Sequence, residues 1–316
     1  MSLKILLTGS SGFLGLQISK ILSETLNRVV ALDIKQPEIK YSNFIYETTS
    51  INEYLNNNND ILKDFDLIIH TASVLPFKGK EDELYKTNVI TSLNLIKEVS
   101  KLKNIFFIYI SSSGIYGNPS KVPVDSSTGF NPLDIYAETK ILTESNIENH
   151  LSKESFAIIR PRTILGTNRK GIFEIFFTLI KYNIPIPLPN NGKQIIQFVE
   201  VSDLAKLILY VGEKRLHGIW PAGAPDPKPL GEHLEILAKE VNKKILTLNI
   251  NPKIFKILGK VLIKLKLVNF TNWHFGAFPH DFYFDKNWKP KNFDYAFSNE
   301  ETFLNSAFTF FEEENK

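Results

Sequence analysis

The chain has no cysteine in 316 residues, which excludes disulfides and thiolate chemistry. Its six histidines are scattered without ligand spacing, so no metal site is expected. An excess of either charge is also missing: 37 basic and 34 acidic residues leave a formal net charge of +3. So small a surplus gives no reason to expect nucleic acid as a partner. The first apolar run, Ile5–Leu7, is far too short for a signal core or a membrane span. Lys4 leads at once into a strand-like run, so the N-terminus reads as the start of a fold, and the expected compartment is the cytoplasm. What is present is an ordinary globular balance, 43% hydrophobic and 22% charged, in one large domain or two unequal ones.

Short β-rich runs alternate with helical stretches through the first half. Leu3–Thr8, Arg28–Asp33, Leu67–His70, Ile105–Ser111 and Phe156–Arg160 read as buried strands. Phe13–Leu26, about Asp82–Leu102 and about Asp134–His150 read as helices, and Asn56–Asn59 as a loop or frayed helix end. This rhythm predicts an α/β fold, a doubly wound parallel sheet of the Rossmann type. After Arg160 the rhythm breaks at Pro185, Pro187 and Pro189, and again at Pro221, Pro225, Pro227 and Pro229. The expected organisation is a dinucleotide-binding domain over 1–165, rejoined by segments near 195–220. A smaller substrate-binding part over 166–316 would wall a cleft.

Between the first strand and the first helix, Thr8–Gly15 reads TGSSGFLG, with Gly9, Gly12 and Gly15 spaced three apart. Such glycines serve a tight turn, close approach of a pyrophosphate, and close packing of helix on strand. The helix start then presents N–H groups and a positive dipole end to phosphate. Asp33 ends the second strand, 18 positions after Gly15. A carboxylate there accepts both ribose hydroxyls of an adenosine and repels a 2′-phosphate, which favours NAD over NADP. Lys35 is the residue that would receive that phosphate in the opposite case.

Tyr136 and Lys140, in the run YAETK, stand at i and i+4 and share a helix face. A free phenol ionises near pH 10 and is a poor base at neutral pH; a neighbouring ammonium favours its phenolate. Tyr136 would then take a proton from a substrate hydroxyl as hydride leaves the same carbon. The run SSSGIYG, Ser111–Gly117, follows a strand, at the carboxyl end where open α/β sheets bind ligands. Taken singly, Tyr-x-x-x-Lys is also a common solvated helix face and Ser/Gly a common turn.

In this order the motifs resemble an extended short-chain dehydrogenase/reductase of the NAD-dependent epimerase/dehydratase kind, over nearly the whole chain. His70-Thr71-Ala72-Ser73 and Asn88 resemble the family's segments after the fourth strand, and Arg160-Pro161-Arg162 the segment after the sixth. Gln197–Ala205 and Trp288-Lys289-Pro290 resemble its late motifs. The resemblance implies an enzyme with Ser113, Tyr136 and Lys140 catalytic, Lys140 also holding the nicotinamide ribose. It implies that NAD is cradled by Gly9, Ser11, Gly12, Phe13, Leu14, Gly15 and Asp33. His70, Thr71, Ala72, Asn88, Ser111 and Pro161 would line it beside Tyr136 and Lys140. Ser113, Tyr116, Thr163 and Phe173 would face a small-molecule substrate. It further implies a homodimer built on the helices near 82–102 and 134–150.

Departures narrow the reaction. Dehydrating relatives carry Asp-Glu where Ser113-Gly114 stand, and sugar-acid decarboxylases an acid at the second position, so both reactions are set aside. Nucleotide-sugar epimerases of the family carry, where Ile196 stands, an arginine for the diphosphate, which guanidinium matches bidentately. Arg169 or Lys170 would have to replace it. Phe173, Phe176 and Phe177 are expected to wall the cleft and favour an apolar substrate, slightly ahead of a sugar. Pro252–Phe270 interleaves Lys256, Lys260, Lys264 and Lys266 with Ile, Leu and Val. It reads first as a helix packed on the cleft with lysines in water, and second as a basic amphipathic helix on a membrane. An epimerase or dehydrogenase of a secondary alcohol is the leading function. The alternatives are a nucleotide-sugar epimerase proper and a non-catalytic regulator that senses NAD.

Overall fold

The computed structural model describes residues 2–57, 60–75, 80–167, 171–265 and 272–313. Six strands form in the first half: β1 (Lys4–Thr8), β2 (Arg28–Asp33), β3 (Phe44–Thr48), β4 (Leu67–His70), β5 (Phe106–Ile110) and β6 (Phe156–Pro161). With the edge strand Gly218–Ala222 they make one seven-stranded sheet, parallel at every pairing. From the edge strand the order runs β6, β5, β4, β1, β2, β3. The chain reverses direction between β1 and β4, and a crevice opens at their carboxyl ends.

Side chains alternate across this sheet because a strand repeats every two residues. Ile5 and Leu7 of β1 meet helices α1 (Phe13–Ser23) and α7 (Val201–Glu213) on one face. Leu6 meets α2 (Ile51–Asn57), α4 (Ser92–Ser100) and α5 (Ile135–His150) on the other. Both faces are covered, so the strands are apolar along their length. α1 stops three residues short of Leu26, where the Glu24 N–H turns back to Ile21 O and Thr25 Oγ1 donates to Leu22 O. The expected helix near 82–102 is α3 (Glu81–Tyr85) running into α4 through a π stretch, Lys86–Thr91, that contains Asn88.

The rest of the chain builds a smaller part on α6 (Ile172–Lys181), α8 (Leu230–Glu240), α9 (Pro252–Lys264), α10 (Asn272–Ala277) and α11 (Asn299–Glu313). Polar side chains in the late motifs pin it to the sheet. Gln197 donates to Ala224 O and accepts from the Phe284 N–H. Asn299 accepts from the Phe198 N–H and donates to Ile196 O. Asp203 of α7 accepts from the Phe297 N–H, and the Trp288 indole donates to Ile219 O.

Candidate active site

The glycine turn sits at the crevice. Gly9 has φ +72, and a Cβ there would lie 2.6 Å from Ala72 N. A Cβ on Gly15 would lie 2.1 Å from Gly9 O, so only glycine lets α1 close onto the turn. No side chain caps α1 at Gly12 and no acid stands in its first turn, so the positive helix end carrying Phe13 and Leu14 is open to phosphate. Asp33 lies beside this turn, half-buried. Its two oxygens accept from the Ser11 N–H at 3.0 Å and the Lys35 N–H at 2.9 Å, while Ser11 Oγ donates to Lys35 O. The carboxylate is thereby aimed from the end of β2 with lone pairs to spare.

Across the crevice, Thr71 Oγ1 donates to Thr8 O and Gly9 O, tying the end of β4 to the glycine turn beside Ala72. The His70 ring is buried between Thr8 Oγ1 (2.7 Å) and Ser92 Oγ (2.9 Å). Burial pushes its pKa down to about 3, with the Lys140 charge adding to the effect, so the ring is neutral. With both nitrogens engaged, His70 has only its backbone to offer a ligand. Asn88 is likewise a clamp. Its side chain accepts from the Val74 N–H and Ser73 Oγ and donates to Val74 O and Thr139 Oγ1, and its carbonyl accepts from Thr143 Oγ1. It joins the loop after β4 to α5.

Asp134 caps α5 by accepting from the Ala137 N–H, which starts the helix one residue before Tyr136. Lys140 is buried; Nζ donates to Ile110 O at 2.8 Å and lies 4.8 Å from the Tyr109 ring centre and 5.5 Å from that of Tyr136. Burial pushes the ammonium down to about 7, and Glu144 opposes the shift. The backbone just past Ile110 forms the serine turn. Ser111 Oγ is buried without a partner, Ser112 Oγ accepts from the Gly114 N–H, and Ser113 Oγ accepts from Arg162 Nη1 at 3.1 Å.

Sequence reasoning gave Arg162 no role. It is buried, stacks 3.7 Å from the Phe282 ring centre, and leaves Nε without a partner. No carboxylate pairs with it among the described residues, and burial lowers its pKa to about 9, so it is a cation at neutral pH. Arg160, two residues earlier, has a partner at each nitrogen. It donates to Glu144 through Nε (3.0 Å) and Nη2 (2.5 Å), and to the Tyr116 hydroxyl through Nη1 (2.6 Å). The one available signal was the pattern Arg-Pro-Arg, which puts two guanidiniums on the same side of an extended segment.

Several expectations need correcting. Tyr116 does not face a substrate: it is fully buried, bonded to Arg160, and packed with Phe282 and Phe284. Phe173 does not wall the cleft. Phe173, Phe176 and Phe177 of α6 are core, with Phe173 4.9 Å from Phe198 and 6.0 Å from Phe303, because α6 turns its apolar stripe to α11. Ile196 is buried in the same cluster and leaves no place for a cation. Pro161 is buried at the end of β6; Thr163, half-buried, begins the short strand Thr163–Leu165 that pairs with Phe198–Glu200. Arg169 and Lys170 lie outside the described residues.

A parallel sheet with a glycine turn at its switch point and an acid ending β2 defines a dinucleotide-binding protein of the Rossmann class. The open end of α1, the glycine turn that a Cβ would fill and the unpartnered Ser111 hydroxyl fit such a ligand. Residues 5–220 match the NAD dependent epimerase/dehydratase family; the chain belongs to it, and NAD is its cofactor. It is an enzyme of the extended short-chain dehydrogenase/reductase type. The UDP-glucose 4-epimerase of Vibrio cholerae is 26% identical over 281 residues, which cover 85% of this chain and 85% of that one. The UDP-N-acetylglucosamine 4-epimerase of Methanobrevibacter ruminantium, solved with UDP-N-acetylmuramic acid, superposes with a TM-score of 0.73 at 18% identity, covering 99% of both chains. Bordetella bronchiseptica WbmG, solved with NAD and UDP, gives 0.75 at 16% identity, over 99% of this chain and 95% of that one. At such identities the two structures speak for the fold.

Proposed function

We propose that the protein interconverts the configuration of a secondary alcohol on a nucleotide sugar by reversible hydride transfer, with Ser113, Tyr136 and Lys140 as the catalytic set. Bound NAD supplies the hydride acceptor and donor. Tyr136 Oη takes the hydroxyl proton of the substrate and returns it after the ketone has turned its other face. In its charged form Lys140, whose pKa burial brings down to about 7, favours the Tyr136 phenolate. Ser113 Oγ orients the reacting oxygen, and Arg162 holds Ser113. The observation that carries the reading is the convergence of α5 and the serine turn at the carboxyl end of β5, where Lys140 Nζ reaches Ile110 O three residues before Ser113.

The sugar reading now stands ahead of the apolar one. The phenylalanines that favoured apolar bulk are core, and Arg162, with no carboxylate partner among the described residues, is a cation beside Ser113. Curated relatives named UDP-glucose 4-epimerase point the same way. The test is incubation with UDP-glucose, UDP-galactose and their N-acetyl forms. Appearance of the C4 epimer supports the proposal. Stoichiometric release of NADH assigns a dehydrogenase instead, and NAD binding without any turnover assigns a regulator.

The same reading includes a homodimer through the helices near 82–102 and 134–150. Tyr85, Ile90 and Leu142 are exposed on α3, the π stretch and α5, a surface suited to isologous pairing. A monomer mass at micromolar concentration would contradict it.

A further inference from the structure

The proposed function does not draw on the lysine-rich segment, whose described part is α9 with its C-cap Leu265; Lys266 and Phe270 lie outside the described residues. α9 meets the protein through one narrow face. Phe255 packs 5.4 Å from Phe275 and 5.8 Å from Phe278, and a Cβ on Gly259 would lie 2.1 Å from the Phe275 ring. Gly259 therefore lets α10 seat this closely and fixes which way α9 faces. Helical residues advance by about 100° each, so Ile254, Ile257, Leu258, Val261 and the C-cap Leu265 fall within an arc of about 100° turned away from Phe255. They are exposed by 53, 61, 47, 47 and 61%. Lys253, Lys256, Lys260 and Lys264 form the next stripe, all exposed and none paired with an acid among the described residues. No acidic residue lies between Asn251 and Leu265.

A surface helix of a globular protein normally buries its apolar stripe and exposes its charges. α9 exposes both, side by side. Leu248, 57% exposed, extends the apolar area on the strand that pairs with Ile186–Pro189, against which α9 packs. The helix does not span: no described helix is long and apolar enough to cross a membrane. An interfacial helix needs an apolar stripe at acyl-chain depth and ammonium groups at the level of lipid phosphates, and each lysine adds attraction to an anionic surface.

We propose that α9 rests in the surface of an anionic membrane, its five apolar side chains among the acyl chains and its four lysines at the phosphates. α10, against which α9 packs, meets Leu133, just before α5, through Gly276.

The experiment is sedimentation of the full-length, NAD-loaded protein with neutral phosphatidylcholine vesicles and with vesicles containing about 30 mol% phosphatidylglycerol. The wild type should pellet with the anionic vesicles, stay largely in solution with the neutral ones, and be released as salt is raised. Ile257→Glu/Leu258→Glu and Lys256→Glu/Lys260→Glu should each lower the bound fraction at least about tenfold, with NAD binding unchanged as proof of folding. The salt series needs no variant. Absence of binding to anionic vesicles overturns the proposal, as does equal binding of the lysine variant. A dimer that dissolves on Ile257→Glu/Leu258→Glu, without vesicle binding, assigns the stripe to a second copy and also overturns it.

Discussion

Two arginines leave the end of β6 two residues apart into different surroundings. Each nitrogen of Arg160 donates to Glu144 of α5 or to Tyr116. Arg162 has a serine, an aromatic face and an unpaired Nε. The first region is a joint, holding β6, α5 and the turn in one geometry. The second is unfinished as a structure, which a charge tolerates only where it serves something else. The same contrast runs through the other polar groups at the crevice. His70 and Asn88 are satisfied inside the protein and hold it together, while Ser111 and the open end of α1 are left for a ligand.

The largest effect is expected at the tyrosine of the proposed catalytic set. Tyr136→Phe should fold and bind NAD yet lose about 10²- to 10⁴-fold in turnover, measured with whichever UDP-sugar is a substrate. Next comes the joint. Glu144→Ala strands the Arg160 charge and should cost about 3–5 kcal/mol in urea unfolding. Arg162→Met removes a charge that has no acidic partner among the described residues, so stability should change by no more than about 1 kcal/mol while turnover falls. Equal destabilisation by both variants would erase the distinction. A smaller effect is expected at Asp33. Asp33→Ala should weaken NAD binding about tenfold and admit NADP, read by titration with each nucleotide.

A pH effect is expected from the buried histidines. Burial lowers His70 to about 3 and His233 to about 4, from an ordinary value of 6.5. Below pH 6.5 the unfolded chain binds protons that the folded one refuses, so stability is full above that pH and is lost as pH falls toward the folded values. Melting temperature should fall between neutral pH and about pH 4.5, and His70→Gln should flatten the fall.

Local signals made much of the sheet part legible. The glycine spacing and the Tyr/Lys spacing each span only a few residues and Asp33 ends β2, so each signal is local and order along the chain carries their joint meaning. β3 escaped, because FIYET has exposed and half-buried positions and no long apolar run. Tyr116 and Phe173 depart from the expectation for one reason: an apolar or aromatic residue next to a motif is equally suited to core and cleft, and only packing decides. Arg162 was invisible as a functional group because its distinguishing feature is a missing partner, which requires the positions of all the acids. α9 shows the same limit from the other side. Its periodicity was plain, but the packed face is the narrow one of Phe255 and Gly259, not the aliphatic stripe.

The central claim is that bound NAD exchanges a hydride with the sugar carbon that bears the reacting hydroxyl, while Tyr136, supported by Lys140 and the serine turn, exchanges the hydroxyl proton. The most direct measurement is the absorbance of reduced nicotinamide in the NAD-loaded protein during turnover of UDP-glucose. The account predicts transient reduction that decays as the epimer forms, absent in Tyr136→Phe. Full epimer formation by Tyr136→Phe, with the same transient as the wild type, would contradict it.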